Sequence, residues 1–142
     1  MKGFFDCFYC FSKFLTILKI VNFSILKVGW GLVERSLNHS KVARMANVQA
    51  VTKAECTKND PILIMSENMF CAGGRGSGPC SGDSGGGFFV FIDGAWHLRG
   101  IVSSATLKGN GECDSDRYAL YTQLSNFTSW INEIIDIGGD FD

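Results

Sequence analysis

The chain has 142 residues, a formal net charge of −1 and 46% hydrophobic residues. This length supports one modest domain with a buried core, and the absence of any basic run argues against nucleic-acid binding. Seventeen glycines and two prolines indicate a protein rich in turns rather than a disordered chain.

Residues 1–27 differ in composition from the rest and hold half of the twelve phenylalanines. The basic Lys2 and the aromatic run that follows resemble a secretory leader, yet no small-residue cleavage site comes after them. Three charged residues interrupt the run and also argue against a membrane-spanning helix, namely Asp6, Lys13 and Lys19. We therefore predict an atypical apolar segment over 1–27, either leader-like or non-native, ahead of one domain over 28–142.

The middle of the chain predicts alternating strands and one short helix. Residues 42–51 have the uneven alternation of a strand. Thr52 followed by Glu55 is typical of a helix N-cap, and Asp60-Pro61 predicts the end of that helix. The apolar run 69–72 predicts the next strand.

The last third predicts a hairpin, a strand and a helix. Asp93-Gly94 between the apolar runs 88–92 and 96–102 is a strong hairpin signal. Residues 118–124 read as a further strand, and Ser125 or Asn126 is a candidate cap for the final helix. One face of this helix is apolar and is predicted to dock on a β-barrel, with an interaction surface for another protein as the alternative; it comprises Phe127, Trp130, Ile131, Ile134 and Ile135.

Six cysteines in a small β-rich chain suggest disulfides and an oxidising compartment, but the residues alone do not give their pairing. Cys7 and Cys10 form a C-x-x-C pair, which by itself supplies too few ligands for a structural zinc site, so no metal is predicted. Three Asn-x-Ser/Thr triplets permit glycosylation in a secreted protein, at Asn22, Asn38 and Asn126.

The stretch 78–88 holds the strongest chemical signal in the chain. It places Ser84 in a run of glycines, directly after Asp83 and four residues after Cys80, and a strand-like apolar run follows. Glycine permits positive φ and close backbone approach, so such a turn can aim several N–H groups at one point. A serine beside them can attack a carbonyl whose developing oxyanion those N–H groups stabilise.

The sequence Gly82-Asp83-Ser84-Gly85-Gly86 resembles the signature of the chymotrypsin-like (trypsin-like) serine endopeptidases. Further matching pieces occur in the family's order: Gly29-Trp30-Gly31, Met69 to Gly73, Gly100 to Ser103, Tyr121-Thr122, and Phe127 through Ile131. The resemblance implies an all-β fold, the second antiparallel β-barrel of the family followed by a C-terminal helix. It also implies that this chain lacks the first barrel, and that Cys56 pairs with Cys71 and Cys80 with Cys113.

Carried over by residue, the resemblance makes Ser84 the catalytic nucleophile. The N–H groups of Gly82 and Ser84 then form the oxyanion hole, and Asp83 matches the aspartate that pairs with a newly cut N-terminal amine. The family's other triad members, a histidine and a second aspartate, have no matching motif in this sequence. His39 and His97 lie outside the family's motif for the base; His39 is predicted to be a surface residue, and His97 a surface or packing residue.

The same resemblance places a specificity pocket at Gly78, Pro79, Ser103, Ser104, Ala105 and Ala119. Gly78 stands where members that cleave after Lys or Arg carry an aspartate. Ala119 replaces a usual glycine and narrows the pocket. The expected preference is therefore for small or medium apolar side chains.

The sequence as a whole predicts a secreted, truncated serine endopeptidase domain that acts on protein or peptide substrates without a cofactor. A catalytically inactive binding module of the same fold is the alternative, and its partner could be a separate first barrel or another protein. A small-molecule hydrolase with a Gly-x-Ser-x-Gly elbow is a third interpretation, which requires a helix directly after Ser84. Neither nucleic acid nor a membrane is an expected partner.

Overall fold

The computed structural model describes residues 25–33, 38–61, 63 and 65–138. The elements, in chain order, are β1 (Ile25–Gly29), β2 (Arg44–Asn47), β3 (Ala50–Val51), α1 (Lys53–Asn59), β4 (Met69–Gly73), β5 (Gly87–Ile92), β6 (Ala95–Ser104), β7 (Tyr118–Gln123), a 3₁₀ turn (Leu124–Phe127) and α2 (Thr128–Gly138). All the strand pairings are antiparallel. The prediction of an all-β domain with a C-terminal helix is confirmed.

The strands form one sheet in the order β2-β1-β5-β6-β7-β4-β3. Its two outer members, β2 and β3, are separated along the chain only by Val48 and Gln49. One stretch, 44–51, therefore pairs with β1 at one end of the order and with β4 at the other. This arrangement closes the sheet on itself into a barrel.

The local signals explain α1 and the hairpin. The Glu55 N–H donates to Thr52 Oγ1 at 3.1 Å, so Thr52 caps α1 as predicted, and the helix ends one residue before Asp60. Asp93 and Gly94 adopt φ of 50° and 80°, which is the left-handed geometry of a two-residue hairpin turn. β5 and β6 pair from Gly87–Ile101 to Ile92–Ala95, so the predicted hairpin is confirmed.

The barrel interior is built around three aromatic rings. The ring centroids of Phe70, Phe88 and Tyr121 lie 4.9 to 5.3 Å apart. Small and branched side chains surround them, namely Val48, Ala72, Val90, Val102 and Ala119. Aromatic pairs in such offset and edge-on contacts add to the free energy gained from burial alone.

A second cluster lies under α1. Cys56 of α1 is bonded to Cys71 of β4, and both are fully buried beside Leu120. The buried Asp60 carboxylate at the end of α1 accepts from Arg117 Nη2 at 3.0 Å and from Thr106 Oγ1 at 3.4 Å. This pairing compensates the buried charge and fixes α1 to the loop before β7.

The C-terminal helix departs from two predictions. Neither Ser125 nor Asn126 caps it directly, because the 3₁₀ turn intervenes and α2 begins at Thr128. Asn126 instead donates to the Glu67 carbonyl and to Asn68 Oδ1, both at 3.0 Å. These bonds hold the start of the helix against the loop before β4.

The predicted docking of the apolar helix face on the barrel is wrong for three of its members. Trp130, Ile134 and Ile135 are 60%, 53% and 45% exposed. The helical spacing correctly predicted which residues share a face. It carries no information about the surface that covers them, and here these three side chains are left exposed.

The buried Tyr121 hydroxyl is expected to make the free energy of unfolding depend on pH. The side chain is fully buried, and among the described residues its hydroxyl has no hydrogen-bond partner. Burial, and secondarily the nearby Asp83 carboxylate, raise the pKa of Tyr121 far above its usual range. The folded chain therefore keeps this proton at pH values where an unfolded tyrosine ionises, above about pH 10.

We expect Tyr121→Phe to leave the free energy of unfolding within about 1 kcal/mol of wild type at pH 7. Above about pH 10 the wild type should lose up to about 1.4 kcal/mol per pH unit through this group, and the variant should lose less. Urea unfolding at pH 7 and at alkaline pH measures both. Tyr118→Phe is the comparison, because the Tyr118 hydroxyl donates to Glu55. A clear loss of stability for Tyr121→Phe at pH 7 would show that the hydroxyl has a polar partner.

Candidate active site

Two consecutive tight turns present Ser84. The Asp83 N–H donates to the Cys80 carbonyl at 3.0 Å, and the Gly86 N–H donates to the Asp83 carbonyl at 3.0 Å. The third residue of each turn is a glycine with positive φ, 92° at Gly82 and 83° at Gly85. Type II turns require this conformation at that position, and a side chain there would be strained. Ser84 is thereby left exposed at the corner of the second turn.

The buried carboxylate of Asp83 holds these two turns in place. It is 6% exposed, and its carboxylate oxygens accept from the Gly31 N–H and the Cys80 N–H, each at 2.9 Å. A Cβ on Gly31 would lie 2.5 Å from the Asp83 carboxylate carbon, so only glycine permits this approach. The resemblance did not assign Gly31 this role, although the residue was part of the Gly-Trp-Gly match.

The two turns, residues 80–86, are called the serine loop, and this loop is also attached to β6. The Gly85 N–H donates to the Val102 carbonyl and the Val102 N–H donates to the Gly86 carbonyl, both at 2.9 Å. Ser103 and Ser104 follow Val102 directly at an irregularity in the β6–β7 pairing, and both are exposed. These bonds place the predicted pocket residues Ser103 and Ser104 close to the serine loop.

The disulfide between Cys80 and Cys113 braces the first turn against the loop before β7. Together with the Cys56–Cys71 bond, it makes the pairing that the resemblance implied. Cys80 therefore has two structural functions, since its N–H also binds Asp83.

The other predicted pocket residues lie in two places. Gly78 and Pro79 line a cavity of about 520 Å³ that also borders Asp83, Cys80 and Cys113. Ala119 is buried in β7 within the barrel core, and Ala105 packs against that core from the end of β6. Four of the six predicted pocket residues, Ser103, Ser104, Ala105 and Ala119, do not line this cavity.

His39 is the residue whose position the sequence did not reveal. Its backbone forms a β-bridge with Leu32, and the Leu32 N–H donates to the Ser81 carbonyl at 2.8 Å. Its ring lies against Gly82: a Cβ there would be 2.7 Å from His39 Cε1 and 2.9 Å from Nδ1. His39 is exposed, as predicted, yet it is in contact with the serine loop. The separation of 45 residues from Ser84 gave no signal of this contact.

No helix follows Ser84, because Gly87–Ile92 is a strand. The strand–turn–helix that a Gly-x-Ser-x-Gly elbow requires is therefore not present at this serine. This observation overturns the small-molecule hydrolase interpretation.

The comparison with known families agrees with this geometry. Residues 18–131 match the family model described as Trypsin. The chain belongs to the trypsin family. Curated relatives include vitamin K-dependent protein C of Mus musculus, 33% identical over 75% of this chain, and clotting factor C of Tachypleus tridentatus, 38% identical over 75% of this chain. Limulus clotting factor C of Carcinoscorpius rotundicauda is likewise 38% identical over 75%.

The chain aligns with only a part of each of these relatives, 24% of protein C and 11% of either clotting factor. The similarity is thus confined to one region of much longer proteins. Within the part that the structure describes, no helix has the length and apolar character needed to cross a membrane. The same residues contain no group of three or more His, Cys, Asp or Glu side chains arranged to hold a metal ion.

Proposed function

We propose that this member of the trypsin family performs serine endopeptidase chemistry, with Ser84 as the nucleophile. The observation that carries the proposal is the pair of turns that exposes Ser84 while Asp83 is held beneath it by two N–H donors. Rigid presentation matters because a nucleophile must meet the carbonyl in one geometry. Membership of the trypsin family supports peptide bonds as the proposed substrate class.

The proposed reaction is acyl transfer. Ser84 Oγ bonds to the carbonyl carbon and loses its proton to a base, while the carbonyl electron pair moves onto oxygen. The N–H groups of Gly82 and Ser84 are the proposed oxyanion hole, and among the described residues neither donates to a backbone oxygen. Collapse breaks the C–N bond, the amine leaves with a proton, and water then releases the acyl group.

The proposed specificity is for small or medium apolar side chains. Gly78 and Pro79 bring no charge to the cavity that they line. A cationic side chain would need a buried carboxylate for compensation, and the carboxylate of Asp83 is already bound to two N–H groups.

We also propose an extracellular location. Two disulfides, with partners 15 and 33 residues apart, support it, because such bonds persist mainly in oxidising compartments. The exposed sequons at Asn38 and Asn126 are compatible with passage through a secretory route.

A catalytically inactive binding module is the second candidate. Two observations favour it: no segment of this sequence matches the family's motifs for the base and its aspartate, and α2 exposes Trp130, Ile134 and Ile135. Large exposed apolar side chains on one helix face are typical of interaction surfaces.

Labelling with a fluorophosphonate probe separates the two candidates. We expect the purified, oxidised chain to react and Ser84→Ala to show no reaction, because the probe phosphonylates an activated serine. Circular dichroism and the intact disulfide mass confirm that both proteins are folded. A folded wild-type chain that does not react would contradict the proposed activity and favour the binding module.

A further inference from the structure

We infer that Asn38 carries an N-linked glycan in the secreted protein and that Asn126 does not. Both residues begin an Asn-x-Ser/Thr triplet, and both are exposed. The triplets alone make them equivalent acceptors, but the structure gives their side chains and backbones different surroundings. The inference rests on the proposed extracellular location and is independent of the reactivity of Ser84.

The side-chain amide of Asn126 uses all four of its hydrogen-bonding positions. Its Nδ2 donates to the Glu67 carbonyl and to Asn68 Oδ1, both at 3.0 Å. Its Oδ1 accepts from Gln123 Nε2 and from Ser125 Oγ, both at 3.3 Å. An asparagine amide has two N–H donors and an oxygen with two lone pairs, so these contacts satisfy the whole group.

A glycan on Asn126 would break this network. In N-glycosylation the asparagine Nδ2 forms a bond to C1 of the sugar and loses one hydrogen as a proton. The bond from C1 to the diphosphate of a lipid-linked oligosaccharide, which the secretory route supplies, breaks at the same time, and the diphosphate leaves with the electron pair. The modified amide keeps a single N–H, so either the Glu67 carbonyl or Asn68 Oδ1 loses its donor. The glycan-bearing chain therefore cannot keep both bonds that hold the start of α2 against the loop before β4.

The two triplets also lie in different kinds of backbone. Residues 126–128 span the end of the 3₁₀ turn and the first residue of α2, and Thr128 Oγ1 donates to the Ser125 carbonyl at 3.2 Å. Residues 38–40 lie outside every helix and strand, in the stretch that leads to β2. Glycan acceptors are typical of surface loops, so the backbone also favours Asn38.

A glycan on Asn38 lies beside the serine loop. The ring of the next residue, His39, is against Gly82, where a Cβ would be 2.7 Å from His39 Cε1. The Leu32 N–H donates to the Ser81 carbonyl, and Leu32 and His39 form a β-bridge. The sugar chain is therefore attached at the edge of the candidate active site.

The test is to map glycan occupancy in the full chain, secreted from cultured insect cells behind an added, cleavable secretion signal. Digestion with peptide N-glycosidase in heavy-oxygen water converts each glycosylated asparagine to a labelled aspartate, which peptide mapping locates. We expect a glycan on Asn38 in most molecules and none on Asn126. Asn38→Gln should remove that glycan, and Ser40→Ala should remove it without changing the amide. Asn22 lies outside the described residues, and its peptide is scored separately.

The unglycosylated chain, made in bacteria and oxidised, provides a second measurement. Asn126→Ala is expected to shift the midpoint of urea unfolding to a lower urea concentration, because the four bonds of its amide are lost. Asn38→Ala is expected to shift the midpoint less. Equal shifts would show that the amide network does not distinguish the two residues, and would contradict the inference.

Two results of the mapping would overturn the inference: an Asn38 without glycan, or a glycan on Asn126 in the disulfide-bonded chain. Chain that the cells retain is mapped in the same way, so poor secretion does not prevent the comparison. Fluorophosphonate labelling of the same protein measures the proposed activity separately. A glycan on Asn38 together with an unreactive Ser84 would support this inference and contradict only the proposed function.

Discussion

Replacing Cys80 and Cys113 together with serine is expected to lower the free energy of unfolding by about 4 kcal/mol. The bond closes a loop over 33 residues, and the loss of this constraint increases the entropy of the unfolded chain. The corresponding change at Cys56 and Cys71, 15 residues apart, is expected to cost about 3 kcal/mol. Urea unfolding of the two double variants measures the difference.

The two disulfides should also differ in their effect on the labelling rate of Ser84. We expect this difference to be larger than the difference in the free energy of unfolding. Cys80 begins the turn that contains Gly82, and its N–H binds the Asp83 carboxylate. Cys56–Cys71 lies under α1, in the second cluster. We therefore expect the Cys80/Cys113 variant to label more slowly at Ser84 under conditions where both variants remain folded. Equal labelling by the two variants would show that the disulfide does not orient the serine loop.

Asp83→Ala is expected to lower the free energy of unfolding by about 3 to 5 kcal/mol. The change removes the acceptor of two buried N–H groups, those of Gly31 and Cys80, and hydrogen bonds to a charged group contribute about 1.5 to 3 kcal/mol each. The small Ala side chain also leaves space beneath the serine loop. The labelling rate of Ser84 should fall together with the free energy of unfolding, because Asp83 belongs to both turns of the serine loop.

Asp116→Ala is the matched control for this variant. Asp116 is an exposed aspartate in the loop before β7, and its substitution is expected to change stability by less than about 0.5 kcal/mol. Chemical denaturation of both variants at pH 7 tests the contrast. If Asp83→Ala were as stable as Asp116→Ala, the two N–H groups would have found other acceptors, and Asp83 would not be the anchor of the site.

The elements that the sequence predicted well depend on short-range chemistry. Thr52 caps α1 through a bond to a residue three positions on, and Asp93-Gly94 makes its turn from its own backbone preferences. The serine loop was recognisable because glycine is required at the third position of each turn. Such signals are complete within a few residues, so a single sequence contains them.

The features that the sequence did not give depend on contacts between distant segments. Closure of the barrel by 44–51 needs β1 and β4 at opposite ends of one sheet order. The contact of His39 with Gly82 follows from backbone bonds between two loops, and nothing in the spacing of these residues indicates it. The helical spacing correctly predicted which side chains share the apolar face of α2. Whether another part of the chain covers that face depends on distant segments, and the spacing does not contain this information.

Capture of an acyl-enzyme tests directly whether Ser84 is the nucleophile. The oxidised chain would be mixed with a peptide thioester whose terminal acyl residue is alanine, and the product would be analysed by intact mass and peptide mapping. We expect a mass increase equal to the acyl group, located on Ser84, and weaker acylation by a thioester that ends in lysine. An unmodified chain, or an acyl group on Ser103 or Ser104 instead, would contradict the assignment of Ser84 as the nucleophile.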